Sequence, residues 1–380
     1  MKRGMVLALG IGLVLSAAAV VTRPAGQVPL YFFSSFEGLG GHTGNYCQNT
    51  AFDVSADGTT VVGNNNWDIE VWGFVWKKET GMVILPGLPL APPASGGGGA
   101  NANGTIVGGA ILNEEGDVVA ARWTLTEGFW VPEVLGDLLG GQDFSGSNCL
   151  SYDGSVAVGF ANSFLGPEAC RWSQQPNDQG ELVWVPQALG DLPGGGYYST
   201  AYGCSADGSV VVGWSEVSYG RRAFRWTPGT GMVDLGVLGK VNRSEAWACS
   251  ANGSVVVGFT DAGKNQVVAF RWTAAAGMVS LGLLPGGKTS RALAVSPDGS
   301  IVVGRGSTKK EGEQAMIWDP VNGMRRIDQV LAAHGVYPPP GWWLYEAVGI
   351  AVPEPGVLVI IGNGHDPEGF DEAWRAVIVD

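Results

Sequence analysis

Histidine is nearly absent from this chain of 380 residues. The three histidines are His42, His334 and His365, and they stand in unrelated segments. Histidine-based zinc sites and Ser-His-Asp triads both need a histidine beside other functional groups. The sequence therefore disfavours such a metal site or triad, and we expect no bound metal and no cofactor.

Charged residues are also scarce, since Asp, Glu, Lys and Arg make up 15% of the chain. There are 22 basic and 35 acidic side chains, which gives a formal net charge of −13. An acidic surface disfavours binding to nucleic acid and to anionic lipid. The glycine-rich runs carry no lysine at the spacing of a phosphate-binding loop. We therefore do not expect nucleic acid as a partner.

The five cysteines are an odd number, so at least one thiol stays unpaired in a monomer, which is the state we expect. Their spacing does not match a metal site. Cys204 and Cys249 occupy equivalent positions in two neighbouring repeats, and Cys170 takes the place of a phenylalanine. These thiols fit the role of small buried hydrophobic residues. A structural disulfide is the alternative.

Glycine, by contrast, is abundant, and much of it marks an internal repeat. The clearest copy is Ala292–Gly304, in which small residues, an Asp-Gly turn and a β-branched run precede a glycine. Asp-Gly between apolar runs favours a tight hairpin, because glycine accepts positive φ. Six copies have steps of 46, 50, 54, 45 and 46 residues, and a degraded seventh follows. The turn glycines are Gly58, Gly104, Gly154, Gly208, Gly253, Gly299 and Gly356.

A tryptophan follows each of the first six turns by 18 or 19 residues. Each unit contains four short β-branched or aromatic runs, and four strands in roughly 45 residues are typical of a propeller blade. The first strand of each unit is rich in Ala and Gly, so we expect it to lie innermost, near the axis. The tryptophan strand then packs between blades. These structural tryptophans are Trp76, Trp123, Trp172, Trp226, Trp272 and Trp318.

The fold prediction is all-β, a seven-bladed β-propeller of four-stranded blades. The last unit comprises Ala347–Ile350, Val357–Gly362 and Ala373–Ala376, and it lacks a fourth strand. Tyr31–Leu39 resembles that missing strand. We therefore expect the N-terminal strand to pair with the last blade and close the ring, which removes exposed sheet edges.

The N-terminus has the pattern of a secretory signal peptide. Lys2-Arg3 precedes the apolar run Met5–Leu15, and small residues follow. We assign residues 1–27 to this leader and a short lead-in, and residues 28–380 to one propeller domain. The expected location is secreted, periplasmic or at the cell surface, without stable membrane insertion after cleavage. An uncleaved anchor is the alternative.

Two motifs suggest other interpretations. The Ser-x-Asp-Gly phrase could be a calcium loop, but it supplies one carboxylate where such loops supply several. We expect Ser and Asp to bind turn amides instead. Val352–Pro355 resembles the start of a bacterial C-terminal sorting signal, although the apolar run that follows is short. The repeat assigns the same residues to a blade turn.

Three phrases carry a family resemblance: Ser205–Gly213, Ala223–Thr227 and Gly231–Gly236. They resemble the HAF-type extracellular repeat family of bacteria, over about residues 30–380. The resemblance implies a secreted or surface-associated repeat protein with no established catalytic role, so it supplies no catalytic residues.

Function is expected on one face of the ring, where the loops vary in length and chemistry. We call it the variable-loop face. We expect its aromatic and amide side chains to be exposed and to suit a glycan or a surface protein, although each side chain could simply pack its own loop. We expect a non-catalytic binding protein; a glycan-active hydrolase or lyase and a structural envelope component are the alternatives. The candidate ligand-binding residues are Asn64, Asn66, Trp67, Phe144, Tyr197, Tyr198, Trp214 and Trp342.

Overall fold

The computed structural model describes residues 35–39, 47–67, 70–89, 91, 95–240, 243–263 and 266–380. Within these residues the chain forms seven four-stranded antiparallel sheets and one short helix. The predicted seven-bladed propeller is thus confirmed. The predicted leader lies outside the described residues. No helix in the described part is long and apolar enough to cross a membrane.

Each of the first six blades uses four consecutive strands. The first two blades contain β2 (Cys47–Val54), β3 (Thr60–Trp67), β4 (Glu70–Lys77), β5 (Gly81–Ile84), β6 (Ser95–Ala100), β7 (Ile106–Leu112), β8 (Val118–Thr126) and β9 (Phe129–Val134). The third and fourth contain β10 (Gly140–Leu150), β11 (Val156–Ser163), β12 (Gly166–Pro176), β13 (Leu182–Ala188), β14 (Ser199–Cys204), β15 (Val211–Val217), β16 (Gly220–Thr227) and β17 (Gly231–Asp234).

The fifth and sixth blades contain β18 (Ser244–Cys249), β19 (Val255–Gly263), β20 (Gln266–Thr273), β21 (Gly277–Gly282), β22 (Ser290–Val295), β23 (Val302–Thr308), β24 (Gly312–Asp319) and β25 (Gly323–Arg326). Helix α1 (Ile327–Ala333) follows. The seventh blade contains β26 (Trp343–Glu354), β27 (Val357–His365), β28 (Asp371–Val379) and the N-terminal strand β1 (Ser35–Gly38).

Steric contact with the neighbouring strand requires the glycine that ends each repeat phrase. In every blade the innermost strand carries a bulge, for example between Ala246 and Ala248. Opposite it, a Cβ on Gly258 would lie 1.9 Å from the Glu245 carbonyl oxygen, far inside van der Waals contact. The second strand can therefore approach the bulge only with glycine. Equivalent glycines are Gly63, Gly109, Gly159, Gly213, Gly304 and Gly362.

A buried hydroxyl joins successive blades. Ser290 Oγ accepts a hydrogen bond from the Ala269 N–H of the preceding blade at 2.9 Å and donates to the Gly282 carbonyl at 2.7 Å. Without it the Ala269 N–H would be buried and unpaired, which proteins rarely tolerate. The serines that accept the same kind of bond are Ser95, Ser145, Ser199 and Ser244.

The arginine of the Ala-Phe-Arg-Trp phrase crosses the same boundary. Arg225 Nε donates to the carbonyl of Gly253, the turn glycine of the next blade, at 3.0 Å. Repeat positions therefore encode contacts between blades as well as strands within them. Arg122, Arg171, Arg271 and Arg375 make the equivalent bond.

The ring closes where the sequence predicts. β1 pairs with β28, so the N-terminal strand is the outermost strand of the seventh blade. At the boundary of this blade with the first, Ala373 N–H donates to Asn49 Oδ1 at 2.7 Å. Arg375 Nη2 donates to the Gly58 carbonyl at 3.0 Å. Both bonds repeat those between consecutive blades, so the first and last blades meet like neighbours.

The Ser-x-Asp-Gly turns form the other face and satisfy their own backbone. Asp207 Oδ1 accepts bonds from Ser205 Oγ at 2.6 Å and from the Ser209 N–H and Oγ at 3.0 and 2.8 Å. These bonds, that from Ser205 first, lower the pKa of Asp207 to about 2. The prediction that Ser and Asp bind turn amides is confirmed.

Neighbouring turns are linked into a belt of backbone hydrogen bonds around the axis. Ala102 N–H donates to the Tyr152 carbonyl at 2.9 Å, and Tyr152 N–H to Ala206 at 2.8 Å. Ala206 then donates to Ala251, and Ala251 to Pro297. Proline has no N–H. Pro297 therefore cannot donate the corresponding hydrogen bond to the seventh blade.

The sequence assigns Pro353–Gly356 to the turn of the seventh unit and makes it longer than the other turns, which is wrong in one respect. Glu354 pairs with Val357, so only Pro355-Gly356 lies between the strands. The additional residues extend β26 rather than the loop. The run after this turn is β27, a strand, which does not fit the apolar helix of a sorting signal.

The structural tryptophans lie on the third strand of each blade, as predicted, and four of them are buried: Trp76, Trp123, Trp172 and Trp226. Trp272 and Trp318 are half-buried. In the seventh blade Trp374 is fully buried at the position that Phe224 takes in the fourth. Large aromatic side chains thus fill the space between blades.

Candidate functional site

The seven innermost strands surround a cavity of about 620 Å³, which we call the axial cavity. This confirms that the first strand of each unit lies innermost. One position per repeat, the third before the turn Ser or its equivalent, lines the cavity in every blade. These residues are Phe52, Gly98, Asn148, Tyr202, Trp247, Leu293 and Val348.

Except for Gly98 in the second blade, the small residues of the innermost strand do not occupy this position. Ala201, next to Tyr202, is fully buried and packs with Val158 of the preceding blade. Side chains alternate between the two faces of a strand, so the neighbouring position looks toward the axis. The small residues identify the innermost strand in the sequence, whereas most of the residues that face the axis are the bulkier ones between them.

Four aromatic side chains form a continuous line into the cavity, which we call the aromatic path. The Tyr198 and Trp214 ring centroids are 5.1 Å apart. Trp214 Nε1 donates to the Tyr202 hydroxyl at 3.1 Å, and the Tyr202 ring stacks on Trp247 at 4.6 Å. The indole N–H of Trp247 is buried, and no acceptor for it is found among the described residues. Buried polar groups are usually hydrogen-bonded, so this unpaired donor is unusual.

Two arginines flank the aromatic path. The Arg221 guanidinium lies 4.0 Å from the ring centroid of Trp214, a cation–π distance. Both Arg221 and Arg243 form ion pairs with the buried Glu245, at 3.8 and 3.2 Å. A second cavity of about 440 Å³ lies beside Arg221 and the glycines Gly194–Gly196.

Two further arginines line the axial cavity itself. Arg305 forms an ion pair with Glu346 at 3.4 Å. Arg291 lies 4.7 Å from the ring centroid of Phe259, and in the described part of the chain no carboxylate lies within 4.0 Å of its guanidinium. Burial lowers the pKa of Arg291, and the nearby Arg305 and Arg243 lower it further.

The end of the cavity near the turns has a different chemistry. Asp53 accepts bonds from the Val54 and Ala100 N–H groups, yet burial raises its pKa to about 6. Burial also raises the pKa of Tyr152 to about 12. Cys149 and Cys204 meet here with their Sγ atoms 3.1 Å apart.

The predicted asparagines lie on β3. Asn64 lines the axial cavity, where its Oδ1 accepts a bond from the Gly97 N–H at 2.9 Å. Asn66 is half-buried further along the same strand. Trp67 ends β3, and its side chain lies outside the described part.

The predicted aromatic residues do not form one exposed patch. Trp214 is 3% exposed, because it packs under Tyr198 and Arg221, so its prediction as an exposed residue is wrong. Phe144 packs on Phe160 in the third blade. Tyr197, next to Tyr198 in the chain, is 58% exposed, and Trp342 packs against the core of the seventh blade.

Comparison with solved structures supports the propeller. Oligogalacturonate lyase from Vibrio parahaemolyticus aligns with 91% of this chain and 97% of its own, at a TM-score of 0.53 and 13% identity. The propeller domain of the trilobed protease from Pyrococcus furiosus aligns with 87% of this chain and 96% of its own, at a TM-score of 0.53 and 9% identity.

TolB from Acinetobacter baumannii aligns with 72% of this chain at a TM-score of 0.44 and 14% identity, and the chain covers 61% of the TolB structure. Identities this low show the fold alone. No family model and no curated protein matches the sequence, so the resemblance to the HAF-type family stays a prediction.

Proposed function

We propose that the chain is a non-catalytic binding protein, secreted or surface-associated, whose glycan ligand enters the axial cavity from the variable-loop face. The aromatic path carries this proposal. It offers aromatic faces to a sugar ring, and Trp247 adds an unpaired N–H at its inner end. Pockets that bind small molecules commonly combine apolar walls with a few placed polar groups. The leader pattern and the HAF-type resemblance support the location.

Trp247→Leu is expected to weaken retention of a bound glycan about tenfold, because it removes both the stacking face and the N–H donor. The measurement applies the purified chain to a glycan array and then titrates the retained glycan. Phe129→Leu is the control, since Phe129 is 75% exposed, begins the outer strand β9 and does not line the axial cavity. Retention that both variants leave unchanged would contradict a site at the aromatic path.

A glycan-active hydrolase or lyase is the second candidate. Glu245 and Glu346 stand with several arginines near the cavity, and paired carboxylates serve glycoside hydrolysis. The same array distinguishes the two functions: an enzyme releases shorter products, whereas a binding protein returns the glycan intact. If no glycan is retained or cleaved, the structural envelope role is favoured instead.

A further inference from the structure

Building on the proposed binding function, we propose that the ligand is a sugar bearing a carboxylate and that Arg291 receives this carboxylate in the axial cavity. Arg221, Arg243 and Arg305 each have an ion-pair partner among the described residues. Arg291 lines the cavity without one.

The surroundings of Arg291 favour an incoming anion. Its guanidinium is half-buried, and Arg305 and Arg243 are close enough to lower its pKa. Glu313 and Glu245 act in the opposite direction, but neither lies within 4.0 Å of it. An added carboxylate would relieve repulsion among the arginines and would form charge-assisted hydrogen bonds.

The shape of the group favours a carboxylate. Stacking on Phe259 holds the planar guanidinium, whose fork of donors matches the two carboxylate oxygens. The chain as a whole carries a charge of −13, which repels polyanions at a distance. One carboxylate per sugar therefore suits the site better than a heavily sulfated or phosphorylated polymer.

The sugar ring has a surface nearby. Trp247 lies on β18 and Arg291 on β22, the innermost strands of consecutive blades, and both line the same cavity. A uronic acid unit could stack on Trp247 while its carboxylate meets Arg291. In this arrangement the aromatic path binds the sugar ring and Arg291 binds the carboxylate. The contributions of the ring and of the carboxylate to the binding affinity can therefore be measured separately.

The test is calorimetric titration of the full chain with a short uronic acid oligosaccharide and with its carboxyl-reduced neutral counterpart. We expect the acidic form to bind more tightly, and Arg291→Gln to weaken its binding about 10- to 100-fold while leaving the neutral form unchanged. Arg325→Gln is the control, because Arg325 lies on the outer strand β25 and pairs with Asp319.

Equal affinity for the two oligosaccharides, or an equal loss for both in Arg291→Gln, would overturn the carboxylate proposal. If neutral sugars still bind and depend on Trp247, the proposed function survives that result. Binding of neither sugar contradicts both proposals. A peptide with a free C-terminus is compared with its amidated form, and binding of the free peptide alone would contradict a sugar ligand.

A separate observation concerns the cysteines. Cys149 on β10 and Cys204 on β14 bring their Sγ atoms to 3.1 Å across the boundary of the third and fourth blades. We infer that these two residues form a disulfide when the chain meets an oxidising environment. For this pair of thiols, the contact favours a structural disulfide, which is the alternative that the sequence left open.

The chemistry needs a disulfide oxidant, such as an oxidised small-molecule thiol. One cysteine thiolate attacks the oxidant and expels one thiol; the second thiolate attacks the mixed disulfide and expels the other. The two protein thiols lose two protons and two electrons, and the oxidant is reduced to two thiols. The new bond closes a loop of about 55 residues, long enough for substantial stabilisation.

The test incubates the full chain with oxidised and reduced glutathione and maps its peptides without reduction. We expect a peptide pair linked through Cys149 and Cys204, and a melting temperature higher by on the order of 5 °C in the oxidised protein. Cys204→Ser should abolish both, whereas Cys170→Ser should preserve both. A link from Cys204 to Cys249, or free thiols at Cys149 and Cys204 after oxidation, would overturn the inference.

Discussion

Deleting residues 1–39 is expected to lower the melting temperature by on the order of 5–10 °C. The deletion removes the four-residue ladder between β1 and β28 and the buried side chain of Leu39. It also removes Glu37, which lies 3.7 Å from the Arg375 guanidinium and 2.5 Å from Lys78 Nζ. β28 would then be an unpaired edge strand, a site for association.

The matched control removes residues 1–27 alone, the predicted leader and lead-in, and should leave the melting temperature unchanged. Scanning calorimetry of both shortened chains and the full chain gives the comparison. Equal melting temperatures for all three would contradict closure of the ring by β1.

Gly258→Ala is expected to destabilise the chain by about 3 kcal/mol or more, or to prevent folding. The added Cβ would lie 1.9 Å from the Glu245 carbonyl oxygen and 2.9 Å from the Ala246 Cα. Both are backbone atoms, so no side chain can move aside, and the strand or its bulge must shift. Overpacking of this kind commonly costs about 1–3 kcal/mol even where side chains can adjust.

Gly229→Ala is the control for this substitution, because no atom lies within 4 Å of an added Cβ at Gly229. It should change stability by less than about 0.5 kcal/mol. Urea denaturation of the two variants measures the difference. Similar stabilities would mean that the repeat glycine is retained for a reason other than the bulge.

The fold could be predicted because its determinants recur in every unit. Each repeat has the same order of key residues: a turn glycine such as Gly208, a bulge-facing glycine such as Gly213 and a tryptophan such as Trp226. The structure inferred for one repeat therefore applies to the others. Closure could be predicted because β1 resembles the strand that the last unit lacks. The hydrogen bonds made by Arg225 and Ser290 could not be predicted from the sequence, since each bond joins residues of different blades.

The site was predicted less well, for a geometric reason. Loop aromatics such as Tyr197 are easy to find in the sequence, whereas Tyr202 and Trp247 lie in innermost strands of two different repeats. Their stacking depends on how neighbouring blades turn toward the axis. One sequence signal was available: the bulky residue between the small ones of each innermost strand. No sequence feature marked Arg291, because its lack of an ion-pair partner depends on where the carboxylates of other blades lie.

Amide hydrogen exchange in β28 tests the closed ring most directly. In the full chain, the strand paired with β1 should exchange slowly over residues 374–377, whose partners are residues 35–38. In the chain lacking residues 1–39, the amides that face β1 should exchange quickly, while those bonded to β27 keep most of their protection. Identical exchange in the two chains would contradict a seventh blade completed by the N-terminal strand.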